Sequence, residues 1–350
     1  MKTEHLLIIR FSAIGDVAMA VPVVKALADQ YPHLRITFLS RPFTRPLFEG
    51  LAPNVGFMEA DIKSEYRGVK GLNKLYRRLV AKQFTAIADF HSILRSNYLR
   101  LRFNLGMFRV EHINKHRAGK HRLTAQNDKR LVQQPTTFEN YADVLARLGY
   151  PVVLDGKLKN FYESTSDGSQ AESPVSVNAP LSSHDIGIAP FAAHCGKIYP
   201  VEKTEQVVAL LAARRPDSTI YLFGGGGKER ETMSEWAAKY PQCVLAAAVA
   251  QGLREELQLM GRLRVMLSMD SANMHLASLA GIPVVSVWGA THPYAGFLGW
   301  GQSPDNCIQA DLDCRPCSIY GKKPCLRGDY ACLNLITPEQ IVDKLENYLK

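Results

Sequence analysis

No stretch of this chain approaches the ~20 consecutive apolar residues that a membrane-spanning helix requires, so a helical membrane protein is excluded. The apolar N-terminal run is interrupted by Arg10 and Asp16, and no small-residue cleavage site follows it. It is therefore not read as a signal peptide, and a cytoplasmic location is expected. Cysteine is scarce and odd in number, seven in 350 residues, which argues against a disulfide framework and for reduced thiols or metal ligation. Acid is scarce in one place only. Residues 61–130 hold 5 Asp/Glu against 17 Lys/Arg, whereas the remainder holds 28 against 25, so the whole net charge of +9 originates in that segment. Within it Arg67, Lys70, Lys74, Arg77, Arg78 and Lys82 recur at helical spacing around an apolar face of Leu72, Leu75, Tyr76 and Leu79. A solvated helix face and attraction to an anionic partner, a phosphorylated lipid, a membrane surface or nucleic acid, explain this equally well.

What is present is alternation. The patterns predict strands at 5–11, 35–40, 56–60 and 85–90, with helices at 18–30, around 43–49, along the basic stretch and at 140–148. A Ser-, Gly- and Pro-rich stretch at 163–184 reads as loop and linker. Alternation then resumes: strand 185–190, helix 202–214, strand 218–223, helix 228–239, strand 243–247, helix 254–263, strand 265–269, helix 272–280 and strand 283–287. An amphipathic helix at 338–349 closes the chain. Alternating strands and helices imply parallel sheets covered on both faces, and the length implies two such domains.

Two places put a carboxylate between an apolar strand and a helix start, Asp16 and Asp270, where anions and ligands bind in open α/β sheets. Asp16 serves there either as a general base or as a helix N-cap, and Gly15 before it permits close backbone approach. Beside Asp270, Ser271 and Asn273 are hydrogen-bond donors, while His275 reads more readily as a packed core residue than as an actor. The 190–200 loop carries Lys197 among small residues, which suits a diphosphate. The Gly224-Gly225-Gly226-Gly227 turn is neither a Walker A loop nor a dinucleotide fingerprint, but it can seat a phosphate or nucleoside, with Glu229 available to ribose hydroxyls. Residues 289–293 would form a neighbouring wall. Cys314, Cys317, Cys325 and Cys332 have spacing similar to a structural zinc site, with reduced packing thiols the favoured reading.

With those motifs in view, the chain resembles glycosyltransferase family 9, the ADP-heptose:lipopolysaccharide heptosyltransferases, over nearly its whole length. The likeness rests on the run from Arg10 to Asp16, Asp89 to Ser96, the 190–200 loop, the 224–229 turn, Asp270 to Ala277 and the Cys-rich tail. It implies an α/β GT-B fold of two doubly wound Rossmann-like domains facing a cleft. The expected division is an acceptor domain at 1–165, a linker at 166–184, a nucleotide-sugar domain at 185–336, and a terminal helix at 337–350 packing back on the first domain. It implies an inverting transfer that requires no metal cofactor, with Asp16 as base and Lys197 on the donor phosphates. Gly225, Glu229, Asp270, Ser271, Ala272, Asn273 and His275 would hold the donor, and Ser12, Gly15, His91 and Arg95 the acceptor. The implied partners are ADP-heptose and an anionic lipid-linked glycan such as the lipopolysaccharide core, with peripheral contact at the inner-membrane surface and no nucleic acid. Two departures stand out: Ala272 where the family usually has Gly, and Tyr199 where Lys-x-Trp-Pro has Trp. The rival readings are a GT-B transferase or epimerase using a UDP- or GDP-sugar, and a non-enzymatic zinc or nucleic-acid-binding protein.

Overall fold

The computed structural model describes residues 4–162 and 184–350, which divide into two compact units. The first comprises residues 4–115 and 135–155. Its sheet is formed by β1 (His5–Ile9), β2 (Arg35–Ser40), β3 (Val55–Glu59), β4 (Ala86–Asp89) and β5 (Arg109–His112). All pair in parallel in the order β3-β2-β1-β4-β5. The helices are α1 (Ile14–Ala18), α2 (Ala20–Gln30), α3 (Gly68–Val80), α4 (Leu94–Leu105) and α6 (Thr137–Arg147), while α5 (Arg117–Leu123) belongs to the second unit. Residues of β1 are buried without exception, as expected of a central parallel strand flanked on both faces. In α3, Gly71, Leu72, Leu75 and Leu79 turn inward, and the cations ride on the opposite face.

The second unit holds β6 (Ile186–Ala189), β7 (Ile220–Leu222), β8 (Cys243–Leu245), β9 (Val265–Met269), β10 (Val284–Val287) and β11 (Cys307–Ile308), again all parallel, in the order β11-β10-β9-β6-β7-β8. Its helices are α7 (Val201–Arg214), α8 (Lys228–Lys239), α9 (Ala246–Val249), α10 (Gly252–Met260), α11 (Ala272–Leu279), α12 (Ala331–Asn334) and α13 (Pro338–Glu346). No helix of the described residues is long and apolar enough to cross a membrane.

Three expectations need correction. Residues 116–134 and the segment from Gly156 onward join the second unit, not the first. The Lys129 ammonium binds the carbonyls of Asp313 and Arg315, the Gln134 amide donates to Tyr294 O at 2.8 Å, and Trp300 Nε1 donates to Lys157 O at 2.8 Å. The basic segment at 61–130 is thus divided between the units. The terminal helix, expected to pack back on the first domain, belongs to the second unit: Ile341, Val342, Leu345 and Leu349 are buried in one core with Val207, Val208 and Leu211 of α7. The helix expected at 18–30 begins earlier, at Ile14, and breaks at Met19, with Pro22 in the first turn of α2. Except for His184, the expected linker at 166–184 lies outside the described residues.

Candidate active site

In the first unit the strand order reverses between β1 and β4, and the segments leaving their carboxyl ends, each a loop and the first turn of the following helix, carry Ser12, Gly15 and Asp16 on one side and His91 and Arg95 on the other. Ligands of open α/β sheets bind at such a reversal. Asp16 is the third residue of α1, not its N-cap: one carboxylate oxygen accepts the Ala13 N–H at 3.1 Å. The same oxygen lies 2.5 Å from Arg10 Nη2. Arg10 itself is buried at the end of β1, where Nη1 donates to Phe90 O at 2.6 Å. Burial disfavours the guanidinium charge, but Asp16, Tyr141 and Asp89 together outweigh it and hold the arginine above its ordinary pKa. One cation therefore fixes the carboxylate and ties together the loops after β1 and β4.

His91 is buried, and its Nδ1 accepts the Phe11 N–H at 3.3 Å. That acceptor role leaves the proton on Nε2, which faces Ser12 Oγ at 3.4 Å. Burial, then the charges of Arg10, Lys115 and Arg95, push its pKa down to about 3, against the opposing pull of Asp16. His91 is a neutral hydrogen-bonding strut at physiological pH. Its own loop is shaped by Asp89, whose Oδ1 accepts the His91 and Ser92 amides at 2.9 Å each. Arg95 is exposed in the first turn of α4.

The second unit repeats the geometry. Its strand order reverses between β6 and β9, and Lys197 lies in the loop after β6 while Asp270 directly follows β9. The two meet: Lys197 Nζ is 2.8 Å from Asp270 Oδ2, with the side chains 14% and 4% exposed. The ammonium lies off the line of a good hydrogen bond, so the contact is an ion pair by proximity. Asp270 thus positions the lysine, a role distinct from touching phosphate with its own like-charged oxygens. Ser271 precedes α11 but gives it no side-chain cap; its hydroxyl faces Ser268 Oγ at 3.2 Å instead. The Ser271 side chain thus leaves the first amides of α11, at Ala272 and Asn273, without a side-chain cap. His275 is buried one turn in, within the packed face of α11.

Three backbone segments hold the lysine loop. Ala290 N–H donates to Gly196 O at 2.8 Å, and a Cβ on Gly289 would meet that oxygen at 2.6 Å. A Cβ on Gly321, whose φ is +70°, would meet Lys197 Cγ at 2.7 Å. Residue 199, where the family motif has Trp, is a fully buried Tyr whose hydroxyl donates to Ile336 O at 2.9 Å. That aromatic is structural. In the glycine turn, Glu229 Oε2 accepts the Gly225 N–H at 2.7 Å, so in this state the two occupy each other and Glu229 closes the turn.

Two contributors escape the sequence patterns. Arg10 entered the sequence reading as an interruption of an apolar run and as the first residue of the run to Asp16, with no role of its own, although an arginine ending a buried strand six residues before an aspartate is itself a signal. Arg315 is buried between Cys314 and Cys317 and donates to the carbonyls of Trp288, Gly289, Thr291 and Ala310 at 2.6–3.0 Å, building the wall at 289–293. Cys314, Cys317, Cys325 and Cys332 line one small cavity with Ala290 and Tyr330. Among the described residues, no group of three or more His, Cys, Asp or Glu side chains is placed to hold a metal ion. Burial pushes Cys332 up to about 11, and burial with its neighbour thiols raises Cys317, so neither is a ready thiolate.

The model of glycosyltransferase family 9 (heptosyltransferase) matches residues 72–325, nearly three quarters of the chain. The chain belongs to glycosyltransferase family 9. It is thus a glycosyltransferase enzyme, and the reading as a non-enzymatic zinc or nucleic-acid-binding protein falls. As a family 9 member it is 23% identical over 293 residues, 83% of this chain and 80% of the other, to the lipopolysaccharide core heptosyltransferase OpsX of Haemophilus influenzae. Its fold is similar to that of E. coli heptosyltransferase WaaC with ADP (TM-score 0.67, 16% identity, 98% and 99% of the two chains) and E. coli ADP-heptose lps heptosyltransferase II (0.67, 20%, 99% and 98%). A family 9 glycosyltransferase from Veillonella parvula aligns with TM-score 0.73 at 18% identity over 100% and 98% of the chains. These likenesses assign the two parallel-sheet units to the GT-B class.

Proposed function

We propose that this family 9 enzyme transfers a heptose from ADP-heptose to a lipopolysaccharide core or related glycan, with inversion at the anomeric carbon. The observation that carries the reading is the buried Lys197–Asp270 pair at the uncapped start of α11. A lysine held rigidly beside free helix amides is a receptor for the diphosphate that departs in such a reaction. The donor reading is supported by the curated relative's activity on the lipopolysaccharide core and by the ADP held by a protein of similar fold.

In the proposed mechanism the acceptor hydroxyl loses its proton to Asp16 as its oxygen attacks the anomeric carbon from the face opposite the nucleotide. The glycosidic C–O bond to phosphate breaks, and the electron pair leaves on the diphosphate, whose growing charge is met by Lys197 and the amides of Ala272 and Asn273. This assigns leaving-group stabilisation to protein groups, so the reading requires no metal ion. Arg10 keeps the Asp16 carboxylate oriented, and Ser12, His91 and Arg95 are proposed to line the acceptor side. Glu229 is proposed to exchange the Gly225 amide for the ribose hydroxyls when nucleotide arrives. The test is ADP release from ADP-heptose with and without a core acceptor lacking its terminal heptose. Acceptor-dependent release is expected; release from a UDP- or GDP-sugar and none from ADP-heptose would overturn the donor assignment.

A further inference from the structure

Asp16 is gripped twice, by its side chain and by its main chain. The carboxylate lies 2.5 Å from Arg10 Nη2 and accepts the Ala13 N–H at 3.1 Å. The main-chain carbonyl accepts a hydrogen bond of 3.0 Å from the Tyr141 hydroxyl, which reaches it from α6. Tyr141 is fully buried, and its ring lies flat on that of Phe90, with centroids 4.3 Å apart and planes 6° apart. Phe90 in turn gives its carbonyl to Arg10 Nη1 at 2.6 Å. The contacts close a circle: Asp16 carboxylate, Arg10, Phe90, Tyr141 and back to the Asp16 main chain. Only one member of that circle is dispensable to packing. A phenylalanine at 141 would keep the stacked ring and its burial, so the hydroxyl serves the carbonyl of Asp16 alone.

Helix α1, which carries Asp16, is five residues long and is broken from α2 at Met19. A helix of that length is held by its surroundings and not by its own hydrogen bonds. Arg10 fixes the carboxylate from the end of β1, and a second hold from a different element keeps the residue from pivoting about that contact. We propose that Tyr141 is a positioning residue for Asp16, its hydroxyl fixing the main chain from which the carboxylate meets the acceptor hydroxyl. This role rests on the reading of Asp16 as the base. A stacked, buried tyrosine suits it, since the ring has few conformations to lose and the hydroxyl has one direction in which to donate. Burial, against the pull of Arg10, holds its pKa above the ordinary value, so it keeps its proton throughout the working pH range.

Transfer kinetics of Tyr141→Phe, alone and combined with Asp16→Asn, test this. Alone, Tyr141→Phe should lower kcat by about tenfold, with KM for ADP-heptose and affinity for ADP unchanged, because a displaced base costs rate and not donor binding. Added to Asp16→Asn it should lower kcat by less than about twofold more, since the group it positions is already gone. Tyr141→Met, judged by the same pair of measurements, serves if the phenylalanine variant does not fold. A parent kcat in Tyr141→Phe beside a slowed Asp16→Asn overturns this proposal alone. Equal slowing in both backgrounds also overturns it, because the tyrosine would then act apart from Asp16, and so does a loss confined to KM for the donor. Asp16→Asn at the parent rate overturns the reading of Asp16 as the base, and the positioning role with it.

Discussion

Each unit holds a carboxylate paired with a largely buried cation, Asp16 in the first and Asp270 in the second, and the pairs differ in what they expose. Asp16 belongs to an exposed-edge pair whose arginine is anchored to backbone; in the second pair both partners are largely buried. Removing one member of a buried pair leaves the other uncompensated, at a cost of about 3 kcal/mol or more. Asp270→Asn should therefore lower thermal stability and weaken nucleotide binding together. Lys197→Met, which leaves the buried Asp270 alone, should do the same and in addition slow transfer most strongly; calorimetry and ADP titration read both. His91 gives a pH signature. Its folded pKa, about 3, lies below the ordinary 6.5, so the unfolded chain takes up a proton that the folded one refuses. The stability tied to neutral His91 is complete above pH 6.5 and is lost as pH falls from there toward 3, by at most about 1.4 kcal/mol per unit. Urea midpoints between about pH 7 and pH 5 should fall less in His91→Asn than in the parent.

Among elements, the Cys-rich segment acts through an arginine. Arg315 satisfies three carbonyls that follow β10 and a fourth, at Ala310, that follows β11, so Arg315→Met should leave buried acceptors unpaired and cost about 3 kcal/mol, read as a lowered denaturation midpoint with loss of transfer. The strong alternations were legible because burial dictates them: β9 spans 265–269 and α8 spans 228–239, as their patterns expect. Helix α4 was not, since its inward residues are Ser96, Leu99 and Phe103 while leucines point outward, which blurs the period. Helix α5 and its attachment to the second unit were equally hidden, because Lys120 over Phe297 and Lys129 on carbonyls are contacts that no local pattern encodes. Candidate residues were legible wherever a polar residue came soon after a strand, at Asp16, Lys197 and Asp270. The pairing of Lys197 with Asp270 was not, because β6 and β9 are adjacent only through the sheet order.

At the scale of the whole molecule, two parallel-sheet units each carry their candidate residues at the point where strand order reverses, and the proposed mechanism gives them different work. The first unit offers a carboxylate with a neutral histidine strut, suited to a proton and an acceptor hydroxyl. The second offers a caged lysine and open helix amides, suited to a departing diphosphate. If that division is right, chemistry and donor binding separate by unit. The decisive measurement is the transfer rate of Asp16→Asn taken with its dissociation constant for ADP-heptose. The expected result is transfer slowed by about a hundredfold or more, with donor affinity unchanged. Transfer at the parent rate, or a loss of donor affinity that accounts for the slowing, would contradict it.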